Sequence, residues 1–378
     1  MKRMIEIFEE LEDPRDTRGK RHKLVDIIVM SIYANICGNN DCENIADWLE
    51  LRARYFIELV DLENGIPSAD TFSRVYRVIN PDKFTEMFAE WVRGVAGEGK
   101  QIAVDGKAVK SAADRIHGGN TPYIVSAFLT DIGISIGQVK CDDKSNEISA
   151  MPDLLEILGI SGCIITIDAI GTQTDIATKI VGKEGHYCLT VKENQGNLYK
   201  DIAEYFEFAA TDEEENAKIK RHSTICGEHG RIEKRKYAVV NDEYLKNYIN
   251  DRNQWKNLKS VGMVENTRII GEKTTIQRKY YIMDIDVTAE KFAEITRSHW
   301  QIENGLHWIL DVHFKEDLSK SKEDYSIFNL SLLRKICYNL IKLDTSFGKI
   351  SFRKKLNRYT YDFELFHNLI FNVIPQLY

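Results

Sequence analysis

The chain has 378 residues, of which 43% are hydrophobic and 29% charged, and its formal net charge is −7. This length exceeds one ordinary hydrophobic core, so we expect two or three structural units. The most apolar early stretch, residues 24–36, contains Asp26 and is shorter than the roughly 20 apolar residues of a membrane span. The amino terminus carries no apolar signal region. These features argue against a membrane or exported protein and predict a folded, cytoplasmic one.

Net charge and cysteine spacing indicate which binding partners and cross-links the chain is suited to. The acidic net charge argues mildly against a nucleic-acid partner, but basic residues cluster in residues 15–23, 107–110 and 349–358, so local contacts with phosphate remain open. The seven cysteines form no CxxC pair, which favours reduced core thiols over disulfides or zinc ligands.

Residues 1–95 show the three- and four-residue apolar spacing of helices and are predicted to form a small helical DNA-binding domain. Within them, Pro67 and Ser68 precede a short helical pattern that carries Arg74 and Arg77. This arrangement suits the second helix of a helix-turn-helix. An ordinary capped helix with solvated arginines fits the same residues equally well.

The pattern changes after the glycine-rich stretch near residue 95, where short β-rich runs begin. Residues 96–211 read as β, β, β, α, β, α, β, which predicts an α/β core whose order matches a ribonuclease H-like fold. Residues 212–285 are predicted to be a β-rich insertion, residues 286–345 the second part of the core with a catalytic helix, and residues 346–378 a basic, helical tail.

Two aspartates follow apolar β runs. Asp105 comes after the run IAV, and Asp168 comes after CIITI. A carboxylate at the end of a buried strand must face a cleft, a partner or a metal, because an unpaired buried charge is costly. Either aspartate alone also fits a helix cap or a loop acid. Thr172 and Asp175 resemble a capping box for the next helix, which leaves Asp168 available for metal binding.

A third acid, Glu303, lies in the helical stretch RSHWQIENGLHWILDVHF. Its apolar neighbours at −3 and +3 predict that it points towards the protein rather than water. Three carboxylates of this kind favour Mg²⁺ or Mn²⁺, which take oxygen ligands and substrate phosphate oxygens. The pattern is typical of phosphodiester chemistry with two metal ions.

Motifs along nearly the whole chain resemble bacterial insertion-sequence transposases of the H-repeat-associated type, in the DDE superfamily. They are DPRDTRGKRHKL, PSADTFSRV, AVDGKAVKSA, TIDAIGTQ, TVKENQ, GEHGRIEKR and SHWQIENGLHWILDVHFKED. The resemblance implies that Asp105, Asp168 and Glu303 are the catalytic and metal-binding triad. It also implies binding of terminal inverted repeats, cleavage of DNA, transfer of the 3′ hydroxyl ends to target DNA, and a homodimer on DNA.

Further side chains near these motifs are predicted to contact DNA. They lie beside Asp105, at the carboxyl ends of predicted parallel strands, in the insertion, or around Glu303: Lys107, Lys110, Gln173, Lys192, Asn194, Gln195, His229, Arg231, Trp255, Arg297 and His307. For Trp255 the expected role is stacking on a displaced base, and burial is the simpler alternative. A related cut-and-paste group has tyrosine, arginine and lysine where this chain has Thr296, His299 and Leu310, so those roles are not transferred.

Two other functions stay open from the sequence. His299, Glu303 and His307 are spaced i, i+4, i+8 and would stack on one helix face, which is compatible with a zinc-dependent hydrolase. The usual zinc-protease helix has a different spacing. A catalytically silent DNA-binding descendant of a transposase is the third hypothesis, and the retained acids count against it.

Overall fold

The computed structural model describes residues 4–16, 18, 20–57, 59–96, 100–109, 121–141, 147–228, 230–253, 255–319, 321 and 324–369. Its helices are α1 Met4–Glu9, α2 Leu24–Ile36, α3 Cys42–Glu50, α4 Ala69–Val78, α5 Pro81–Ala96, α6 Glu147–Ile157, α7 Thr174–Gly182, α8 Asn197–Ala209, α9 Glu213–Lys218, α10 Glu243–Asn253, α11 Ala289–His299, α12 Trp308–Val312, α13 Asp324–Leu343, α14 Phe352–Tyr361 and α15 Phe363–Asn368. Its strands are β1 Gln101–Ala108, β2 Tyr123–Leu129, β3 Ile134–Cys141, β4 Ile164–Ile167, β5 His186–Val191, β6 Lys220–Glu228, β7 Arg231–Val240, β8 Ser260–Ile270 and β9 Lys273–Met283.

The chain forms two compact units, each assembled from separated stretches. Unit 1 comprises Met1–Glu98, Gly106–Leu158 and Ile302–Tyr378, and unit 2 comprises Gly99–Asp105 and Gly159–Gln301. Strand β1 therefore begins in unit 2 and ends in unit 1.

Unit 1 is mainly helical, and α13 is its central helix. Helix α13 packs against α2, α4, α5 and strand β3, while α6 packs against the antiparallel pair β2 and β3. The prediction of helices over residues 1–95 is confirmed by α1 to α5. Helix α2 is buried along almost its whole length, because its apolar residues surround the helix rather than forming one stripe. Among the described residues, no helix has both the length and the apolar composition that crossing a bilayer requires.

Unit 2 contains a large mixed sheet with helices packed on it. The strand order within this unit is β1-β4-β5-β9-β8-β7-β6. Strands β1, β4 and β5 pair in parallel, and β9, β8, β7 and β6 continue the sheet with antiparallel pairing. The predicted β-rich insertion therefore continues the same sheet, because its strand β9 pairs with the parallel strand β5. Helix α11 covers part of this sheet, where Phe292, Ala293 and Ile295 pack with Tyr237 and Tyr281 in a buried cluster.

All seven cysteines lie in the described ranges, and each is a free thiol there. Cys141, Cys163, Cys188 and Cys337 are buried, so their thiols serve as small apolar side chains of the core. Cys226 is exposed on β6, which differs from the predicted core position.

Candidate active site

The two aspartates follow the last paired residues of neighbouring parallel strands. Val104 of β1 pairs with Ile167 of β4, and Asp105 and Asp168 are the residues that come next. Asp168 directly follows β4 as predicted, whereas Asp105 lies inside β1, which continues to Ala108 beyond its pairing with β4. Residues 101–104 are buried, and both aspartates are half-buried. Adjacent strands lie about 4.8 Å apart, so the two carboxyl groups start from neighbouring backbone positions at one edge of the sheet. This is the edge where ligand sites of α/β proteins form.

Asp168 carries an ion pair with Lys192, the first residue after β5. The Lys192 Nζ donates to Asp168 Oδ2 at 2.9 Å, and both side chains are about half exposed, at 50% and 45%. Burial raises the pKa of Asp168, but the Lys192 hydrogen bond and charge outweigh it, so the pKa lies below its usual value. The carboxylate is therefore ionised at neutral pH and already attracts a cation.

The amide side chains predicted to contact DNA hold the loop that follows Asp168. Asn194 Nδ2 donates to the carbonyl of Ala169 at 3.2 Å, and Gln195 Nε2 donates to the carbonyl of Thr172 at 2.7 Å. Gln173 Nε2 donates to the carbonyl of Ile170 at 3.3 Å. These contacts fix the backbone beside the aspartate.

The predicted capping box at Thr172 is wrong. Gln173 occupies the N-cap position of α7 and makes no side-chain capping bond. The Thr172 hydroxyl instead donates to the carbonyl of Thr190 at 2.6 Å. A buried hydroxyl needs a partner, and the neighbouring strand β5 supplies one.

His299 is the last residue of α11 and contacts β4 of unit 2. Its Nδ1 lies 2.9 Å from the hydroxyl of Thr166, two residues before Asp168. Burial lowers the pKa of His299 to about 4, with the nearby lysines 279 and 192 adding to the effect against the opposing charge of Asp168. The imidazole is therefore neutral at physiological pH. The side-chain amide of Gln101, through Nε2, donates to the carbonyl of Ile295 at 2.9 Å. This hydrogen bond connects α11 to the start of β1.

Glu303 belongs to unit 1, in a π-helical segment, Ile302–His307. The sequence predicts an inward-facing side chain, but Glu303 is exposed, so that prediction is wrong. The apolar neighbours at −3 and +3 share a face with it only in a regular α-helix, and a π-helical turn changes this spacing. His307 in the same segment is buried, and burial lowers its pKa to about 3.

Lys107, predicted to hold a scissile-strand phosphate, is enclosed by acids of unit 1. Its Nζ contacts the carboxylate of Asp311, lies 2.6 Å from Glu316 Oε2 and 3.9 Å from Asp317 Oδ1. Glu316 is 1% exposed. Burial raises the pKa of Glu316, but the charges of Lys107 and Lys335 dominate and bring it to about 2. In this arrangement Lys107 neutralises the buried carboxylate of Glu316 and lies beside two partly exposed aspartates of its own unit.

The predicted DNA contacts on α4 lie on the protein surface. Ser68 caps this helix by accepting a hydrogen bond from the amide of Thr71, and Arg74 and Arg77 are exposed. The helix with its cap is therefore confirmed, and the DNA contact stays a prediction.

The remaining predicted contacts fall into three groups. Arg231 on β7 and Arg297 on α11 are exposed, and Arg231 Nε lies 3.3 Å from Glu233 Oε1. Trp255 is only 3% exposed, which matches the burial alternative and leaves little indole surface for a base. Lys110 and His229 lie outside the described residues.

Two residues near Asp168 were missed by the sequence analysis. Lys279 Nζ lies 4.3 Å from the centre of the Trp300 ring, and Trp300 packs edge-on against His299 at 6.0 Å. Trp300 lies in the motif that carries Glu303, so the sequence draws attention to it. The pairing with Lys279 of β9 depends on the sheet and has no local signal.

The donor set at the strand ends fits a hard divalent cation. Asp105 and Asp168 supply carboxylate oxygens from the positions that follow the last β1–β4 pair, and the Lys192 ammonium lies beside Asp168. Among the described residues, no group of three or more His, Cys, Asp or Glu side chains is placed to share one metal ion. His299, Glu303 and His307 are among the described residues, so they do not form such a group either.

These features define an α/β protein with a large mixed sheet and an anionic site, flanked by lysines and amides, at the ends of its parallel strands. Comparisons with known proteins give the family. The family model described as "Transposase DDE domain" matches residues 97–340, and the one described as "DDE_Tnp_1-associated" matches residues 5–92. The chain belongs to the transposase DDE family, as its motifs indicate.

Individual relatives agree with this assignment. The chain is 38% identical over 370 residues to the "H repeat-associated putative transposase YhhI" of Escherichia coli K12, covering 96% of each chain. It is 37% identical over 370 residues to YbfL of the same organism, again covering 96% of each. A solved piggyBac transposase synaptic complex with hairpin DNA aligns with 98% of this chain and 76% of its own at 11% identity, but its TM-score of 0.43 is too low to carry an inference.

Proposed function

We propose that this protein is a DNA transposase that binds the terminal inverted repeats of an insertion sequence, cleaves phosphodiesters there and transfers the 3′ hydroxyl ends to target DNA. The observation that carries the proposal is the placement of Asp105 and Asp168 directly after residues that pair on neighbouring parallel strands. Membership of the transposase DDE family supports the same chemistry.

In this proposal, β1, β4 and β5 belong to a ribonuclease H-like core formed by residues 96–211 and 286–345. Residues 212–285 are its insertion, residues 1–95 the DNA-binding domain and residues 346–378 a basic tail. Transposition requires two DNA ends to be held together, so the active species is a homodimer on DNA.

Asp105, Asp168 and Glu303 are the proposed ligands of two Mg²⁺ or Mn²⁺ ions. Such ions, when bound, activate the attacking oxygen and stabilise the leaving oxygen of a phosphodiester. Lys192 would exchange its hydrogen bond with Asp168 for one with a DNA phosphate oxygen. Half exposure of both side chains makes this exchange inexpensive, because a solvated ion pair contributes only about 0–1 kcal/mol.

DNA contacts outside the triad come from two surfaces. Arg74 and Arg77, exposed on α4, bind phosphates of the repeat, so end binding weakens steeply with salt. Arg231 and Arg297, exposed in unit 2, bind phosphates closer to the cut. Alanine at both Arg74 and Arg77 should reduce end binding and its salt slope together.

The test of this function is cleavage of a labelled duplex that carries one end of the element, with Mg²⁺, Mn²⁺ or Zn²⁺ supplied in turn. Asp105→Asn, Asp168→Asn and Glu303→Gln should bind the duplex but not cut it. Asp175→Asn is the matched control, because Asp175 is an exposed acid on α7 outside the proposed ligand set.

The outcomes separate the three hypotheses. Cutting by Glu303→Gln in Mg²⁺ contradicts the triad. Cutting that occurs only in Zn²⁺ and is lost in both His299→Ala and His307→Ala identifies a zinc hydrolase. Binding of the duplex by the wild type with no cutting in any metal identifies a catalytically silent DNA-binding protein.

A further inference from the structure

Strands β6 to β9 of unit 2 form a sheet with one covered face and one partly open face. On the covered face, Tyr237 and Val239 of β7 pack in the buried cluster that includes Phe292 of α11. Successive residues of a strand point to opposite faces of the sheet. Lys234 and Lys236 of β7 therefore lie on the open face, and both are exposed.

Exposed isoleucines lie around these lysines on the open face. Ile225 of β6 pairs with Lys234, and Ile276 of β9 belongs to the same cross-strand row. Their exposed fractions are 72% and 64%, and Ile232, two residues before Lys234, is 44% exposed. We call these three isoleucines, with Lys234 and Lys236, the sheet patch. A contiguous apolar surface of this kind is typical of a site that binds another protein.

Helices α8 and α9 lie on the same open face, next to the sheet patch. Phe206 of α8 stacks on Tyr280 of β9 with 6.2 Å between the ring centres. Asn216 of α9 and Lys236 of β7 line one cavity of about 830 Å³ between the helices and the sheet. Phe208, near the end of α8, points away from this packing, since 56% of it is exposed.

The first turn of α9 is acidic. It contains Glu213, Glu214 and Glu215, and the carboxylate of Glu215 accepts a hydrogen bond from Lys218. Glu213 and Glu214 are exposed. Within the part of the chain that the structure describes, Glu213, Glu214 and Lys234 take part in no ion pair. We call Glu213, Glu214 and Phe208 the helix patch.

The two patches are complementary in charge and in apolar character. Two acids and an aromatic ring stand on the helices, and two lysines and three isoleucines stand on the sheet. The patches lie side by side on one face, so a two-fold axis between them would place each patch of one copy against the other patch of a second copy. Such a self-complementary contact closes as a dimer.

Duplex DNA fits this open face less well than a second copy does. The exposed carboxylates of Glu213 and Glu214 would repel phosphates. A phosphate backbone would also leave the isoleucines of the sheet patch without an apolar partner. A second copy supplies both the acids that the lysines require and the apolar surface that the isoleucines require.

We propose that this open face is an interface between two copies of the chain, in which the helix patch of each copy packs on the sheet patch of the other. The opposite charges orient the two copies, and the apolar side chains exclude water from the contact. The dimer forms without DNA, so the inference goes beyond the proposed function and does not depend on it.

The experiment measures the monomer–dimer equilibrium of the full chain without DNA, by analytical ultracentrifugation over a range of protein concentrations. The wild type should dimerise. Lys234→Glu with Lys236→Glu makes both patches acidic, and Glu213→Lys with Glu214→Lys makes both patches basic. The contact occurs twice in a symmetric dimer, so a loss of roughly tenfold for each contact weakens dimerisation by about 100-fold in either variant.

A mixture of the two charge-reversed variants gives the sharpest readout. In a mixed pair, the basic helix patch of one chain meets the acidic sheet patch of the other, and the second contact has the opposite arrangement. The mixture should therefore form a heterodimer with about the affinity of the wild type, although neither variant dimerises well alone. This recovery also establishes that both variants are folded. A chain that carries all four changes should dimerise with itself.

The apolar part of the interface has its own test. Ile225→Asn should weaken dimerisation of the wild-type chain by roughly tenfold, because it places an amide at the centre of the sheet patch. Ile270→Asn is the matched control. Ile270 is 49% exposed and follows Ile269, the partner of Ile232, so it points to the opposite face of the same sheet.

The proposal is overturned if the wild type remains a monomer at every concentration, if the charge-reversed variants dimerise as well as the wild type, or if their mixture stays monomeric. A monomeric wild type whose binding of duplex DNA is weakened by Lys234→Glu with Lys236→Glu would identify the open face as a DNA-binding surface instead. Failure of the proposed function is seen in the cleavage assay and leaves the sedimentation results unchanged.

Discussion

Replacement of Lys107 by methionine tests the electrostatics of unit 1. Lys107 is 12% exposed and Glu316 is 1% exposed, and their charged atoms lie 2.6 Å apart. Methionine keeps the aliphatic volume but leaves the Glu316 carboxylate buried without its nearest cation. Removing one partner of a buried pair costs about 3–5 kcal/mol. The Ser331 hydroxyl, which donates to Glu316 at 2.7 Å, and the neighbouring Lys335 favour the lower end of this range.

An exposed lysine–carboxylate pair gives the internal control. Lys192 and Asp168 lie 2.9 Å apart with half of each side chain exposed. Solvent screens such a pair, so Lys192→Met should lower the free energy of unfolding by only about 0–1 kcal/mol. The two lysine-to-methionine changes therefore differ in burial and in the number of acids left without their cation, which is three around Lys107 and one beside Lys192.

The dependence of the free energy of unfolding on pH gives a second test of the Lys107–Glu316 pair. The folded pKa of Glu316, about 2, lies below its value in the unfolded chain, about 4.3. Its contribution is therefore present above about pH 4.3 and lost as the pH falls towards 2. Lys107→Met raises this pKa, so the variant should lose less stability than the wild type over that range.

The assay is urea denaturation followed by circular dichroism at pH 7 and pH 3 for the wild type and both variants. The expected result is a large penalty for Lys107→Met at pH 7 that shrinks at pH 3, beside a small penalty for Lys192→Met. A penalty below about 1 kcal/mol for Lys107→Met at pH 7, or the same penalty at both pH values, would refute the reasoning.

Two further predictions concern unit 2. A Cβ added at Gly262 would lie 2.5 Å from the Phe292 ring, so Gly262→Ala should lower the free energy of unfolding by about 1–3 kcal/mol. Gly227 has open space around it, so Gly227→Ala should not show this loss in the same denaturation assay. Burial holds the pKa of His299 at about 4, below its unfolded value near 6.5, so its contribution to stability is lost as the pH falls from about 6.5 towards 4. His299→Gln should remove that part of the dependence of the urea midpoint on pH, and an unchanged profile would contradict it.

Local patterns predicted the features that depend on neighbouring residues. The neighbouring positions of Asp105 and Asp168 could be predicted because each follows a run of apolar, strand-forming residues, and the β1–β4 register ends directly before both. The continuation of β1 past Asp105 to Ala108 was not predicted. Ser68 was found as a helix start because the cap is a contact within one turn. The helical nature of residues 1–95 has the same local origin.

Features that depend on distant contacts were missed. The exposure of Glu303 follows from a π-helical turn, which side-chain spacing does not reveal. Lys107 was taken for a phosphate ligand because its acidic partners, such as Glu316, lie some 200 positions away and only the fold brings them together. Burial of Trp255, which is 3% exposed, was also missed as the preferred expectation, because burial is decided by the packing of the whole unit.

The most direct test of the central claim is Mn²⁺ binding, followed by electron paramagnetic resonance, in the wild type and in aspartate variants. The account predicts saturable binding by the wild type, at least tenfold weaker binding by Asp105→Asn and Asp168→Asn, and unchanged binding by Asp175→Asn, since only the first two carboxylates directly follow the last β1–β4 pair. Equal binding by all four proteins, or no binding by the wild type, would contradict the assignment of this edge of the sheet as the metal-dependent active site.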